Sequence, residues 1–280
     1  MAQILDGKIV AKNIRQESAS IVSTLKSQGK TVKLAIVLAN DDPSSLSYVN
    51  TIVKTGQKIG IECFIEKPNV LDQSILETII SKLAQDKTVD GIMLQTPLPT
   101  ELSFDKLSAL IPVEKDIDGL NPESAGRLSQ GLDCFAPATA QAVMEILKFY
   151  EMDLLGKQVA VVGRSNIVGK PLLQLLLAAN ASVSICHSKT IEIFNITSLA
   201  DILVVAIGKS KYISSQFVNS KQTVIDVGTN FDESGKMTGD VDFDNVEPLV
   251  QAITPVPGGV GPVTTAVLLK QVCQAANQSL

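Results

Sequence analysis

The sequence predicts an α/β protein of two domains, each built on a parallel sheet with helical crossovers. Three observations carry that reading. Short continuous apolar runs alternate with stretches whose apolar residues recur at helical spacing. One run opens onto a glycine-bearing turn and then a helix, Val159-Ala-Val-Val-Gly-Arg-Ser-Asn-Ile-Val-Gly-Lys-Pro171, the arrangement of a dinucleotide phosphate site. Finally, 280 residues with 45% apolar and 19% charged content are enough for two cored domains and too apolar for a disordered chain.

Ile9, Val10, Ile14, Ile21, Val22 and Leu25 predict an amphipathic helix from Asp6 to Lys26, closed by Gly29. Leu34 to Ala39 is an unbroken apolar run of strand length, and its lack of alternation indicates burial on both faces. Ser44 or Ser45 can cap a second helix that carries Leu46, Val49, Ile52, Val53 and Ile59 and stops at Gly60. A strand from Ile61 to Ile65, a helix from Gln73 to Gln85 and a strand from Gly91 to Gln95 follow. Ligands of open parallel sheets bind beyond the carboxyl ends of strands, so the loops after Ala39 and Gln95 are expected on a common cleft. Gln95 belongs to that site or is a structural hydrogen-bonder at a strand end. Glu114 to Pro122 is rich in turn formers and places Asp116 and Asp118 two apart, an arrangement common in turns and caps.

A helix from Ala140 to Phe149 leads to the Gly163 turn. Beyond it come a helix from Leu172 to Ala179 and a strand from Ala181 to Cys186. Strands at Ile202–Ala206, Thr223–Val227 and Ala252–Thr254 bring the second half to about five parallel strands. Gly208 and Gly228 follow two of them, where a cofactor would approach the backbone. Thr254-Pro-Val-Pro-Gly-Gly-Val-Gly-Pro-Val-Thr264 then reads as a shaped ligand loop with free amides, or as a tight connection, before a last helix to about Asn277.

Gly163 and Gly169 allow a tight turn and close approach to a pyrophosphate, which the amides opening the next helix would bind. Ser165 stands where the usual fingerprint has its middle glycine, and an ordinary crossover is the competing reading. About 20 residues past such a turn NAD-specific folds carry an acid for the ribose hydroxyl. Here none stands there, whereas Arg164, Ser188 and Lys189 offer cationic and hydroxyl groups for a 2′-phosphate. NADP is therefore expected over NAD, with solvated surface charge the alternative for Arg164 and Lys189.

His187, the single histidine, is expected to line the cofactor pocket, and it excludes a His-rich metal site. No metal is expected. Four scattered cysteines without a Cys-x-x-Cys pair suit a reducing compartment and are expected as buried apolar fillers. A net charge of −5 without a basic run excludes nucleic acid and anionic membrane as partners and leaves small molecules. The start lacks a signal-peptide core, and the most apolar stretch, Pro171 to Ala179, is far short of the roughly 20 residues that span a bilayer. A cytoplasmic location is expected.

Several segments, in order, go further. They are Ile4-Leu-Asp-Gly-Lys8, Asp41-Asp-Pro-Ser44 with Tyr48-Val49, Gln95 with Pro97-Leu-Pro99, Lys115-Asp-Ile-Asp-Gly119 and Gly163-Arg-Ser-Asn-Ile-Val-Gly169. Cys186-His-Ser188, Val224-Ile-Asp-Val-Gly228 with Asn230, Gly239-Asp-Val241 and Thr254-Pro-Val-Pro-Gly-Gly-Val-Gly-Pro262 complete the set. With these the chain resembles the methylenetetrahydrofolate dehydrogenase/methenyltetrahydrofolate cyclohydrolase family over almost its entire length.

The resemblance implies a folate-binding domain of residues 1–135 plus 262–280 and a Rossmann-like NADP-binding domain of 136–261. It also implies a cleft where folate and nicotinamide meet, and a homodimer. Tetrahydrofolate one-carbon derivatives would be the ligands. It assigns catalysis to Tyr48, Gln95 and Asp118, with Asp118 gripping the pterin and Tyr48 packing against it. Pro257, Gly258 and Gly261 would line the folate site. Gly163, Arg164, Ser165, Ile167, Gly169, His187 and Ser188 would hold NADP, with Thr229 on the nicotinamide side.

The chain also departs from the family. Relatives carry a lysine four residues after the tyrosine, and here Ile52 stands there. Lys54 lies about 240° around a helix from Tyr48, on another face. Pro137-Ala-Thr-Ala140, Leu120-Asn-Pro122 and Thr229 replace Pro-Cys-Thr-Pro, Phe-His-Pro and isoleucine. The expectation is an NADP-dependent dehydrogenase with cyclohydrolase activity weakened or lost. The alternative is a non-catalytic or repurposed NADP-binding relative with an altered folate site.

Overall fold

A computed structural model describes residues 1–232 and 234–279. The first part of the chain forms β1 (Gln3–Ile4), α1 (Gly7–Ser27), β2 (Lys33–Val37), α2 (Pro43–Ile59), β3 (Glu62–Glu66), α3 (Gln73–Gln85), β4 (Gly91–Leu94), α4 (Phe104–Ser108) and α5 (Pro122–Gln130). Then follow α6 (Ala138–Phe149), β5 (Gln158–Val162), α7 (Gly169–Ala178), β6 (Ser182–Cys186), α8 (Ile193–Thr197), β7 (Ile202–Val205) and β8 (Thr223–Asp226). The chain ends with β9 (Asn230–Phe231), β10 (Met237–Thr238), α9 (Phe243–Val246), β11 (Ala252–Ile253) and α10 (Val260–Gln278). It divides into two compact units, Met1–Lys12 with Thr139–Thr264, and Asn13–Ala138 with Thr265–Leu280.

The first unit holds a six-stranded sheet in the order β1-β11-β8-β7-β5-β6, parallel throughout. Its core includes Ala160, Val162, Leu203, Val205, Val224 and Ile253. From β5 the chain steps outward to β6 and then returns to β7 on β5's other side, so a crevice opens at the carboxyl end of β5. Strand β1 is one of the short elements the sequence did not reveal, because two residues carry no periodicity. It pairs with β11 through Gln3↔Ala252 and Ile4↔Ile253, which places residues 1–12, expected with the folate domain, in this unit.

The second unit holds a three-stranded parallel sheet, β3-β2-β4, over a core that includes Ala35, Val37, Leu76, Ile80, Ile92 and Leu94. The cap of α2 is Asp42, not Ser44 or Ser45. Its carboxylate accepts the Ser45 amide at 2.8 Å and the Ser44 hydroxyl, with Pro43 in the first turn and Gly60 closing the helix at φ +92°. Helix α5 begins at Pro122, the end of the expected turn region, with Asn121 as its cap, and is stopped by Gly131. Helix α10 likewise begins inside the Pro/Gly-rich segment, where Pro262 falls in its first turn. Cys186 and Cys273 are buried and free, whereas Cys63 and Cys134 are only half-buried, a correction to the expectation of four fillers. Among the described residues no helix is long and apolar enough to cross a membrane.

Candidate active site

In the first unit Gly163 has φ +133°, and a Cβ there would meet the Ala206 carbonyl oxygen at 2.2 Å. A Cβ on Gly169 would meet the Gly163 carbonyl oxygen at 2.1 Å. Backbone cannot yield as a side chain can, so both positions demand glycine. Ser165 accounts for the missing middle glycine: its hydroxyl accepts the Val168 amide at 3.2 Å, and its carbonyl accepts the Lys170 amide at 3.1 Å. A side chain thus closes this turn, and α7 starts directly behind it.

A cavity of about 340 Å³ opens at the crevice. The loop after β5 lines it with Gly163, Arg164 and Ser165, the loop after β6 with His187, Ser188 and Thr190, and the loop after β7 with Ala206, Ile207 and Lys209. Ile193 and Tyr212 complete the wall. His187 accepts the Lys189 amide at Nδ1, 3.2 Å away, and its own amide donates to Thr190 Oγ1 at 2.9 Å. Five of the expected nucleotide residues therefore share one cavity. Gly169 backs the turn, whereas Ile167 is exposed and Thr229 is exposed in the loop after β8; none of the three lines the cavity. Lys189 does not line it either, and Lys209, overlooked behind Gly208, does.

Two buried carboxylates, Asp226 and Asp240, hold the loops after β8 and β7. Asp226 accepts the amides of Gly228 at 2.9 Å, Asp240 at 3.0 Å and Val241 at 2.9 Å, and its own amide donates to Thr254 Oγ1 at 2.8 Å. Asp240 accepts the amides of Ile207 at 2.7 Å, Gly208 at 3.0 Å and Lys209 at 2.8 Å, and the Asn230 side-chain amide at 2.9 Å. Burial pushes Asp226 up to about 6, against the pull of the Val241, Asp240 and Gly228 amides. The sequence signals for this pair are two family motifs, Val224-Ile-Asp-Val-Gly228 and Gly239-Asp-Val241, with no role attached.

In the second unit Asp118 accepts the Ala138 amide at 3.2 Å, and burial, opposed by that amide, pushes its pKa up to about 7. Burial raises the Tyr48 phenol, the Asp118 charge raises it further, and a hydrogen bond with the Thr265 hydroxyl opposes both. Tyr48, Asp118 and Thr265 are thus one electrostatic group. Asp116, two residues away, is structural instead. It accepts the amides of Leu120 at 3.0 Å and Asn121 at 2.9 Å and the Ser124 hydroxyl at 2.6 Å. Lys115 donates to the Ala84 and Asp86 carbonyls at 2.9 and 2.7 Å, capping the end of α3.

Gln95 follows β4 and is buried; its amide nitrogen donates to the Thr96 carbonyl, and its Oε1 has no partner. The expected meeting of the loops after β2 and β4 is visible in the Asn40 side chain, which donates to the Pro97 carbonyl at 2.7 Å. Ile52 has 0% exposure on the α2 face that also carries Ser45, Val49 and Gly56. The Ser45 hydroxyl is buried without a partner, and Lys54 is exposed. Pro257, Gly258 and Gly261 lie in the first unit; Gly258 has φ +108°, and its carbonyl accepts the Gly7 amide at 2.9 Å.

A parallel sheet with a glycine-turn crevice, joined to a second α/β unit with its own buried acid, defines the class of two-domain nucleotide-binding α/β proteins. Sequence models for the tetrahydrofolate dehydrogenase/cyclohydrolase catalytic domain and NAD(P)-binding domain match residues 5–118 and 137–280. The chain belongs to the tetrahydrofolate dehydrogenase/cyclohydrolase family. It is 45% identical to the bifunctional protein FolD of Nocardia farcinica over 98% of this chain and 97% of that one. The crystal structure of the Campylobacter jejuni bifunctional enzyme FolD superposes with a TM-score of 0.97 at 40% identity, covering 100% of both chains. The Trypanosoma brucei enzyme, complexed with NADP cofactor and an inhibitor, superposes with a TM-score of 0.94 at 34% identity over 99% of this chain and 98% of that one.

Proposed function

We propose that this chain oxidises 5,10-methylenetetrahydrofolate to the 5,10-methenyl compound with NADP and hydrolyses that product poorly. Family membership supports the first half, as does the cavity at the Gly163 turn. The Gly163 to Ser165 turn lets a pyrophosphate approach the backbone, and Arg164 with Ser188 suits the 2′-phosphate. Bound NADP supplies a nicotinamide ring that accepts hydride. On the folate side Asp118 takes the pterin N–H donors and Tyr48 packs against the ring. The methylene carbon lies between two nitrogens whose lone pairs stabilise the resulting cation, so this step asks the protein mainly for alignment.

Hydrolysis asks for more, because a water must attack, a proton must move and a carbon–nitrogen bond must open. Ile52 carries the second half of the proposal. Where relatives have a lysine, this chain has a fully buried alkyl group with neither charge nor proton. A lysine ammonium brings three donors and no acceptor. The Gln95 side-chain oxygen of the same unit is buried without a protein partner. The test is to assay the two half-reactions separately in the wild type and in Ile52→Lys. Oxidation with slow hydrolysis, and faster hydrolysis in the variant, supports the proposal; efficient wild-type hydrolysis refutes the second half.

The family likeness also suggests a homodimer. Strand β3 lies at a sheet edge with Ile65 exposed, the kind of edge a second copy can extend. Four free cysteines suit a reducing cytoplasm.

A further inference from the structure

We propose that Lys209 is a specificity residue of the nucleotide cavity, the second cation that selects a nucleotide bearing a phosphate on its adenosine ribose. The inference rests on the NADP reading and sharpens it. Arg164 and Lys209 reach the cavity from the loops after β5 and β7, and Ser188 and Thr190 supply hydroxyls from the loop after β6. Among the described residues that line the cavity, none is acidic.

Lys209 is held at both ends. Its amide donates to Asp240 at 2.8 Å, and its ammonium stands 5.6 Å from the centre of the Tyr212 ring. That ring rests in turn on the buried Phe217, 5.7 Å between centres. Asp240 already accepts four donors through its two oxygens, three of them backbone amides in the loop carrying Lys209. The lysine is therefore placed before a ligand arrives, and less freedom is lost when it binds.

A phosphate monoester carries close to two charges near pH 7 and three acceptor oxygens, more than one guanidinium can satisfy. Arginine supplies the planar fork, and lysine adds a point charge from the opposite loop. NAD offers the diphosphate but no third phosphate, so loss of Lys209 falls on one nucleotide and spares the other.

The test is titration calorimetry of NADP and of NAD into the intact chain, wild type against Lys209→Met and Lys209→Arg. Methionine keeps most of the stem and the backbone bond to Asp240, and thermal unfolding of each variant monitors the fold. One lost charge-assisted contact predicts that Lys209→Met weakens NADP about tenfold and NAD less than about twofold, with Lys209→Arg close to wild type. Parallel weakening of both nucleotides would make Lys209 a wall or diphosphate residue and overturn the proposal, as would unchanged NADP affinity. If the wild type bound neither nucleotide, the NADP reading itself would fall; normal wild-type NADP binding with an indifferent Lys209→Met removes only the lysine.

Discussion

Asp118 is partly buried and accepts the Ala138 amide, and desolvation, opposed by that bond, pushes its pKa up to about 7. Its unfolded value is about 3.9. The folded state therefore holds the proton more tightly, and the fold loses stability through this group as pH rises from about 4 toward 7. Asp118→Asn should raise stability at pH 8 by on the order of 1–3 kcal/mol and leave it nearly unchanged at pH 4, measured by urea unfolding. The same substitution should abolish folate binding, which in the wild type should tighten as pH rises through about 7, since pterin N–H groups need an ionised acceptor. A flat binding profile would remove Asp118 from the pterin site. Ile52 is the opposite case, an apolar residue placed for packing. Lysine there should cost about 1–3 kcal/mol of stability even if it quickens hydrolysis. The sequence singled out both positions, Asp118 through the Lys115 to Gly119 motif and Ile52 as a departure from the lysine that relatives carry four residues after the tyrosine. What spacing alone could not do was separate Asp118 from Asp116, because only the fold shows that Asp116 is consumed by Leu120, Asn121 and Ser124.

Among the elements, long periodic segments read well. Helix α3 runs from Gln73 to Gln85 as its apolar spacing predicts, because Leu76, Ile80 and Leu83 mark one buried face. Short elements and caps did not. Asp42 outcompetes the two serines after it because Pro43 fixes the first turn one residue earlier. The role of the Asp226–Asp240 pair was hidden for another reason: both acids fall in family motifs, but most of their partners are backbone amides of other loops, which no local pattern encodes. Removing Asp240 leaves four donors without an acceptor, three of them in the loop after β7 that helps wall the cavity at the Gly163 turn. Asp240→Ala should cost about 3 kcal/mol or more in urea unfolding, and a loss below about 1 kcal/mol would show that these bonds do not hold the loop.

At the scale of the whole molecule, alternating strands and helices gave two α/β units, but not the placement of residues 1–12, whose two-residue strand is recognisable only beside β11. The proposed homodimer makes its own prediction here. Ile65→Lys adds a charge to the β3 edge and should shift the protein to monomers in sedimentation, with the unfolding midpoint little changed at that 39% exposed position. An unaltered dimer would place the interface elsewhere. The central claim is that hydride passes from the folate's one-carbon unit to a nucleotide seated at the Gly163 turn. Mass spectrometry of the nucleotide formed from methylene-dideuterated substrate tests it most directly. The account predicts one deuterium in the reduced nicotinamide ring, and reduced nucleotide without deuterium, or none at all, would contradict it.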